Sequence, residues 1–122
     1  MNKIKRRHSR HPLSIRVNAE LNEPAGNSYF YSEDLSYGGI YLKSDFLLEQ
    51  GDVVELSFML PDEHGSQIKA RARVVWVNLQ MIESMQGRSA GMGLEFIDMS
   101  DECMHRLRDF LASQEIEITG LG

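Results

Sequence analysis

The chain has 122 residues, one cysteine and a formal net charge of −5. This length suits one domain that buries a core without disulfides, and a single cysteine excludes both an internal disulfide framework and a multi-cysteine metal site. No apolar run approaches the roughly 18 residues of a membrane span, and the basic start lacks the apolar stretch of a signal peptide, so we expect a cytoplasmic protein.

The N-terminal segment is strongly basic. Residues 1–18 contain six of the thirteen Lys and Arg residues and no Asp or Glu, so the remainder has seven basic and eighteen acidic residues, a balance of −11. A cationic arm on an acidic body indicates either a docking arm for an anion or a solvated tail. We assign residues 1–12 to a flexible basic arm.

Apolar and polar residues alternate in several runs from residue 13 onward, which is typical of strands with one buried face. In the longest run, Ile68, Ala70, Ala72, Val74 and Trp76 share one face. We therefore expect Trp76 to belong to the core or the barrel face rather than to a stacking platform. Turn residues separate the runs. The strand-like runs occupy residues 13–21, 28–32, 40–43, 53–60, 68–77 and 92–97.

Only the C-terminal part of the sequence is predicted to be helical. Ser100 is a candidate N-cap, and an apolar stripe at helical spacing includes Met104, Leu107 and Leu111. We interpret this stripe as core packing. Several short strands followed by one helix predict an antiparallel barrel, closed or nearly closed, with the helix packed on it. The barrel and helix are assigned to residues 13–113 and a tail to residues 114–122.

Two short motifs contain the candidate chemistry. Arg6 and Arg10 form R-x-x-x-R in the arm, and residues 34–39 read D-x-S-x-x-G between two predicted strands. Alone, the second motif is also typical of a hairpin turn, because Asp, Ser and Gly are common turn residues. The ordered pair, with a strand pattern between its members, resembles the signature of the PilZ domain family of bacterial receptors for cyclic di-GMP.

The resemblance extends from Lys5 to about Leu111 and includes the late glycine-containing strand at residues 91–96. It implies a fold dominated by β-structure, a six- or seven-stranded antiparallel Greek-key β-barrel with a C-terminal α-helix. It also implies a non-enzymatic receptor whose ligand is cyclic di-GMP, with no further cofactor and no metal. Ligand binding would order the arm and change the surface offered to an effector protein.

The resemblance also implies a role for each motif residue. The two motif arginines would meet guanine edges and phosphates, and Asp34 and Ser36 would hold a guanine. Gly39 would keep the backbone away from the ligand. Lys5 stands where the family often has an additional arginine that favours a stacked ligand dimer, so the number of bound ligands is open. The implied ligand-binding residues are Arg6, Arg7, Arg10, Asp34, Ser36 and Gly39.

Two other functions are compatible with parts of the sequence. The first is a PilZ-like protein-interaction module that does not depend on a nucleotide; loss of motif residues would favour it, and here both motifs are intact. The second is a small-barrel nucleic-acid binder, which the basic arm and the aromatic residues favour. The acidic body disfavours the second, because most of the surface would repel a nucleic-acid polymer.

Overall fold

The computed structural model describes residues 10–22, 25–44, 48–78 and 90–119. Within these ranges the chain forms strands and one C-terminal helix. The strands are β1 (His11–Pro12), β2 (Arg16–Asn22), β3 (Ala25–Leu35), β4 (Gly39–Lys43), β5 (Val53–Met59), β6 (Gln67–Asn78) and β7 (Gly91–Met99), and the helix is α1 (Asp101–Thr119).

Six of the strands close into an antiparallel barrel. Their order is β3-β2-β5-β6-β7-β4, and β4 pairs again with β3 to complete the ring. β1 lies outside this ring and pairs with the last residues of β3. The predicted antiparallel barrel with a C-terminal helix is therefore confirmed.

The barrel interior is built from the residues that alternate in the sequence. Val17 on β2 and Val74 on β6 have no exposed surface, and neither has Leu107 on α1. Phe110 and Leu111 pack into the same apolar cluster, so core packing is confirmed for these stripe residues, whereas Met104 lies outside the cluster. Each such side chain contributes about 1.5–3 kcal/mol when it is fully buried.

The first turn of α1 has the predicted cap. The Ser100 hydroxyl accepts a hydrogen bond from the Cys103 N–H at 3.1 Å. The backbone stays helical to Thr119, whereas a tail was predicted from residue 114. The reason is that no Gly or Pro interrupts the sequence before Gly120, so nothing ends the helix earlier. The helix therefore includes most of residues 114–122.

A buried serine interrupts the strand that the sequence predicted over residues 13–21. Between β1 and β2, the Ser32 hydroxyl accepts from the Ile15 N–H at 3.0 Å and donates to the Leu13 carbonyl. The Ser32 N–H also donates to the Ile15 carbonyl at 2.9 Å. The Ser32 side chain takes the place of part of the backbone ladder here. The alternation of apolar and polar residues continues through this break, so the sequence does not reveal it. The paired β1 segment holds residue 10 near the end of β3.

Candidate ligand-binding site

The two sequence motifs meet at one end of β3. β1 lies at the end of residues 1–12, the segment assigned to the arm. Its Pro12 pairs with Asp34. Arg10 directly precedes β1, and its Nη1 lies 3.8 Å from Asp34 Oδ2. The Asp34 side chain is 15% exposed and the Arg10 side chain 50%. The second arginine of R-x-x-x-R and the aspartate of D-x-S-x-x-G therefore form a partly buried pair of opposite charges.

Ser36 closes the turn between β3 and β4. Its N–H donates to the Gly39 carbonyl at 2.9 Å. Its hydroxyl accepts from the N–H groups of Gly38, at 3.2 Å, and Gly39, at 3.1 Å, and donates to the Gly39 carbonyl at 3.3 Å. A serine hydroxyl has one donor and two acceptor sites, and this turn engages all of them. The structure therefore gives Ser36 the role of shaping the turn.

The turn is also fixed against β7. The Gly38 carbonyl accepts a hydrogen bond from the Phe96 N–H at 2.9 Å. At Gly39, a Cβ atom would collide with the backbone carbonyl oxygen of Leu94. The glycine is thus required by the close approach of β4 to β7, which is a structural reason separate from any ligand.

A groove on the outside of the barrel connects these residues. It has a volume of about 920 Å³ and runs from Arg10 and Asp34, past the turn, over the outer faces of β6 and β7. Trp76 supplies aromatic surface, and Glu95 and Asp98 add carboxylates to that of Asp34. The groove therefore offers a cation, carboxylates and aromatic surface to one bound molecule.

Trp76 lies in this groove because β6 contains a bulge. Val74 pairs with Leu94, but Trp76 pairs with the next residue, Gly93, so the register shifts at Val75. The shift turns the indole to the outer face, whereas strict alternation put it on the same face as Val74. Of the two positions expected for Trp76, core or barrel face, the structure therefore shows the barrel face, because the extra residue reverses the alternation.

Aromatic rings cover the glycines of β7. The Tyr41 and Trp76 rings lie 5.2 Å apart between centroids and are tilted by 31°. A Cβ at Gly93 would collide with the Trp76 indole, and one at Gly91 would meet the Tyr41 ring at 3.0 Å. The spacing of Gly91 and Gly93 on one strand face is the sequence signal that aromatic residues pack on the outside of the wall.

The groove brings together four of the residues that the sequence nominated. Arg10, Asp34, Ser36 and Gly39 all line it. Lys5, Arg6 and Arg7 lie outside the described residues. Tyr37 and Tyr41, which are neighbours of the motif in the sequence, line the groove as well.

The chain matches the profile of one known protein family. A profile described as the PilZ domain matches residues 4–113. The chain belongs to the PilZ domain family. A comparison of this PilZ chain with curated proteins gave no match.

Among the helices in the described ranges, none combines the length and the apolar character of a membrane span.

Solved structures share the fold. The Bacillus subtilis inhibitor of motility (MotI/DgrA) matches with a TM-score of 0.76 and 20% identity over 93% of this chain and 52% of that one. The PilZ domain of Escherichia coli YcgR with c-di-GMP matches with a TM-score of 0.68 and 18% identity over 93% and 94%. The K. pneumonia MrkH complex with c-di-GMP gives 0.68 and 20% over 93% and 53%. This PilZ chain thus spans about half the length of MotI and MrkH.

Proposed function

We propose that this PilZ protein is a non-enzymatic receptor for cyclic di-GMP. The observation that carries the proposal is the meeting of Arg10 and Asp34 at one end of an outer groove. Their two motifs are separate in the sequence, and only the pairing of β1 with β3 brings them together. The c-di-GMP complexes of YcgR and MrkH, which share the fold, support the choice of ligand.

The two charged side chains match the two edges of guanine. The guanine N7 and O6 atoms are acceptors that fit the forked donors of an arginine such as Arg10. The opposite edge carries N–H donors, which the acceptor-only carboxylate of Asp34 can receive. A bidentate arginine contact is worth about 1–3 kcal/mol, and micromolar binding needs about 8 kcal/mol. A few such contacts are therefore sufficient.

The remaining motif residues have supporting roles in this proposal. Arg6 contacts a guanine edge or phosphate from the arm, and Arg7 contacts a phosphate. Ser36 and Gly39 act through the turn, because the hydroxyl is engaged within it and the glycine allows β7 to approach. Lys5 lacks the planar fork of arginine, so binding of one ligand molecule and binding of two are both compatible with the site. The stoichiometry of a titration distinguishes these alternatives.

Ligand binding then acts as a switch. The Arg10 side chain is half exposed in its pair with Asp34, and the 3.8 Å separation makes this a long ion pair that solvent screens from the Arg10 side. A nucleotide that offers phosphates and guanine edges can therefore replace this pair at small cost. The basic arm closes over the ligand and presents a different surface to an effector protein.

The experiment that tests the proposal is calorimetric titration with cyclic di-GMP at fixed salt, with GTP and linear di-GMP as controls. We expect saturable, selective binding by the wild-type protein. Arg10→Ala and Asp34→Ala should each weaken binding by about tenfold to hundredfold, because each removes contacts to a guanine edge. The double variant Arg6→Ala, Arg10→Ala should bind no ligand.

Two substitutions on α1 provide matched controls. Arg108→Ala and Asp109→Ala remove the same two charge types from exposed helix positions outside the groove. Both should leave the affinity unchanged, and thermal unfolding should verify that all variants are folded. Absence of binding by the folded wild-type protein would replace the receptor with the nucleotide-independent interaction module. Length-dependent binding to oligonucleotides with steep salt dependence would instead favour the nucleic-acid binder.

A further inference from the structure

Two exposed tyrosines lie close to two cations on the outer surface of the barrel. Tyr29 and Tyr31 on β3 are 59% and 54% exposed. Tyr31 is paired with Arg16 on β2 and with Lys43 on β4. Directly paired residues in an antiparallel sheet project from the same face, with Cβ atoms about 4.5–5.5 Å apart. We call the surface formed by Arg16, Tyr29, Tyr31 and Lys43 the tyrosine face.

The two cations of this face, Arg16 and Lys43, have no ion-pair partner among the carboxylates that the structure describes. On β6 the situation is different, because Arg71 pairs with Glu55 at 3.2 Å and Arg73 with Glu95 at 4.0 Å. Among the described residues, the tyrosine face is therefore a basic surface without ion pairs, on a protein whose net charge is −5.

Part of the tyrosine face is already ordered. The Arg16 guanidinium carbon lies 4.1 Å from the centroid of the Tyr29 ring, which is a cation–π contact. This contact limits the rotation of both side chains, so a partner loses less conformational entropy when it binds them. Within the described residues the guanidinium forms no ion pair, so its N–H donors can serve a carboxylate of a partner.

We propose that the tyrosine face binds an acidic segment of a partner protein. Tyrosine and arginine are enriched among the residues that dominate binding energy at protein interfaces. The two cations select for carboxylates, and the two tyrosine rings bury apolar side chains that flank them. A lipid surface is a poorer fit, because stable membrane contact takes a larger basic cluster than two residues. The proposal is independent of nucleotide binding.

A peptide selection tests the proposal. The wild-type protein is immobilised, short random peptides displayed on phage are selected at physiological ionic strength, and the enriched peptides are synthesised and titrated. We expect enriched sequences that combine Asp or Glu with apolar residues. Tyr31→Ser should reduce their affinity at least about tenfold, as expected for a residue at the centre of an interface. The charge reversals Arg16→Glu and Lys43→Glu should have a comparable effect with both tyrosines in place.

Met59→Ser is the matched control, because Met59 is 56% exposed but lies on β5, outside the tyrosine face. It should leave the peptide affinity unchanged. The proposal fails if the selected peptides lack acidic residues or respond as strongly to Met59→Ser. It also fails if sedimentation shows a self-association that Tyr31→Ser abolishes, which assigns the face to a second copy. Binding to anionic phosphatidylglycerol vesicles that depends on Tyr31 would assign it to a membrane and equally overturn the proposal.

Discussion

The β3–β4 turn and the β5–β6 turn are both closed by a side chain, but the closing group differs. In the first turn, the neutral hydroxyl of Ser36 binds the N–H groups of Gly38 and Gly39. In the second, the carboxylate of Asp62 accepts from the N–H groups of His64, at 3.2 Å, and Ser66, at 3.0 Å. The Ser66 hydroxyl donates to the same carboxylate at 2.8 Å.

This difference separates the turn at the site from the turn away from it. The Ser36 turn lines the groove beside Asp34, and its hydroxyl does not titrate, so its shape does not depend on the pH. The Asp62 turn lies outside that groove and depends on an ionised group. In the proposed receptor, a turn that is held by neutral groups does not engage the carboxylate of Asp34. Three pairs of substitutions test this difference between the two turns.

The largest effect is expected from the glycines of the two turns. In Gly39→Ala, the new methyl group meets the backbone oxygen of Leu94, which cannot move away freely. We expect a loss of about 3 kcal/mol in the free energy of unfolding, at the upper end for overpacking. In Gly65→Ala, the methyl group meets only the flexible Met59 side chain at 3.4 Å. The positive φ of 58° then costs about 1–2 kcal/mol.

Urea unfolding measures both losses, and calorimetry measures the affinity for cyclic di-GMP. Gly39→Ala should lower the affinity at least about tenfold, because the turn and the groove share a backbone, whereas Gly65→Ala should leave it unchanged. Equal effects of the two variants on the affinity would contradict the assignment of the site to the first turn.

A smaller effect is expected from the two turn serines. Ser36→Ala and Ser66→Ala each remove hydroxyl hydrogen bonds within a turn, so each should cost about 1 kcal/mol of stability. Without ligand, Ser36→Ala should also speed the hydrogen exchange of the Gly38 and Gly39 amides, because their acceptor is lost. Protection factors from NMR check this expectation.

Ser66→Ala is the control for this exchange experiment and should leave the two glycine amides protected. If Ser36→Ala weakens cyclic di-GMP binding while the glycine amides stay protected, the hydroxyl contacts the ligand and does not act through the turn. That result would restore the direct role that the family resemblance implies for Ser36.

The sequence contained enough information for the barrel and for the meeting of the motifs. Alternation marked the inward-facing residues such as Val17 and Val74, because a strand with one buried face has a period of two. The motif spacing nominated Arg10 and Asp34, and the structure puts them 3.8 Å apart. The alternation is a local pattern that a single sequence shows, whereas the joint site of the two motifs was implied by the resemblance to the PilZ family.

The features that the sequence did not reveal depend on distant partners. The bulge at Val75 moves Trp76 to the outer face, but a residue added to a strand leaves no local mark when its neighbours are also apolar. The Ser32 hydroxyl interrupts the ladder between Leu13 and Ile15, which are far from it in the sequence. The engagement of the Ser36 hydroxyl depends on a turn conformation that serine and glycine permit but do not dictate.

The smallest effect is expected from pH at the second turn. The hydrogen bond from the Ser66 N–H is the main reason that the pKa of Asp62 lies below its ordinary value of 3.8. Hydrogen bonds from the Ser66 hydroxyl and from the amides of Gly65 and His64 lower this pKa further. The folded state therefore binds this proton less readily than the unfolded chain. Its stabilisation is complete above pH 3.8 and is lost as the pH falls through the lower folded pKa.

Asp62→Asn removes this titration. The stability of the wild-type protein relative to Asp62→Asn should be constant from neutral pH to about pH 5 and should shrink below about pH 4, as measured by urea unfolding. Glu63→Gln is the matched control, because the neighbouring Glu63 carboxylate accepts none of the backbone hydrogen bonds in the described loop. The difference in stability between the wild type and Glu63→Gln should not show the same dependence on pH. A constant wild-type advantage down to low pH would mean that the turn is held by its backbone alone, and the contrast between the two turns would disappear.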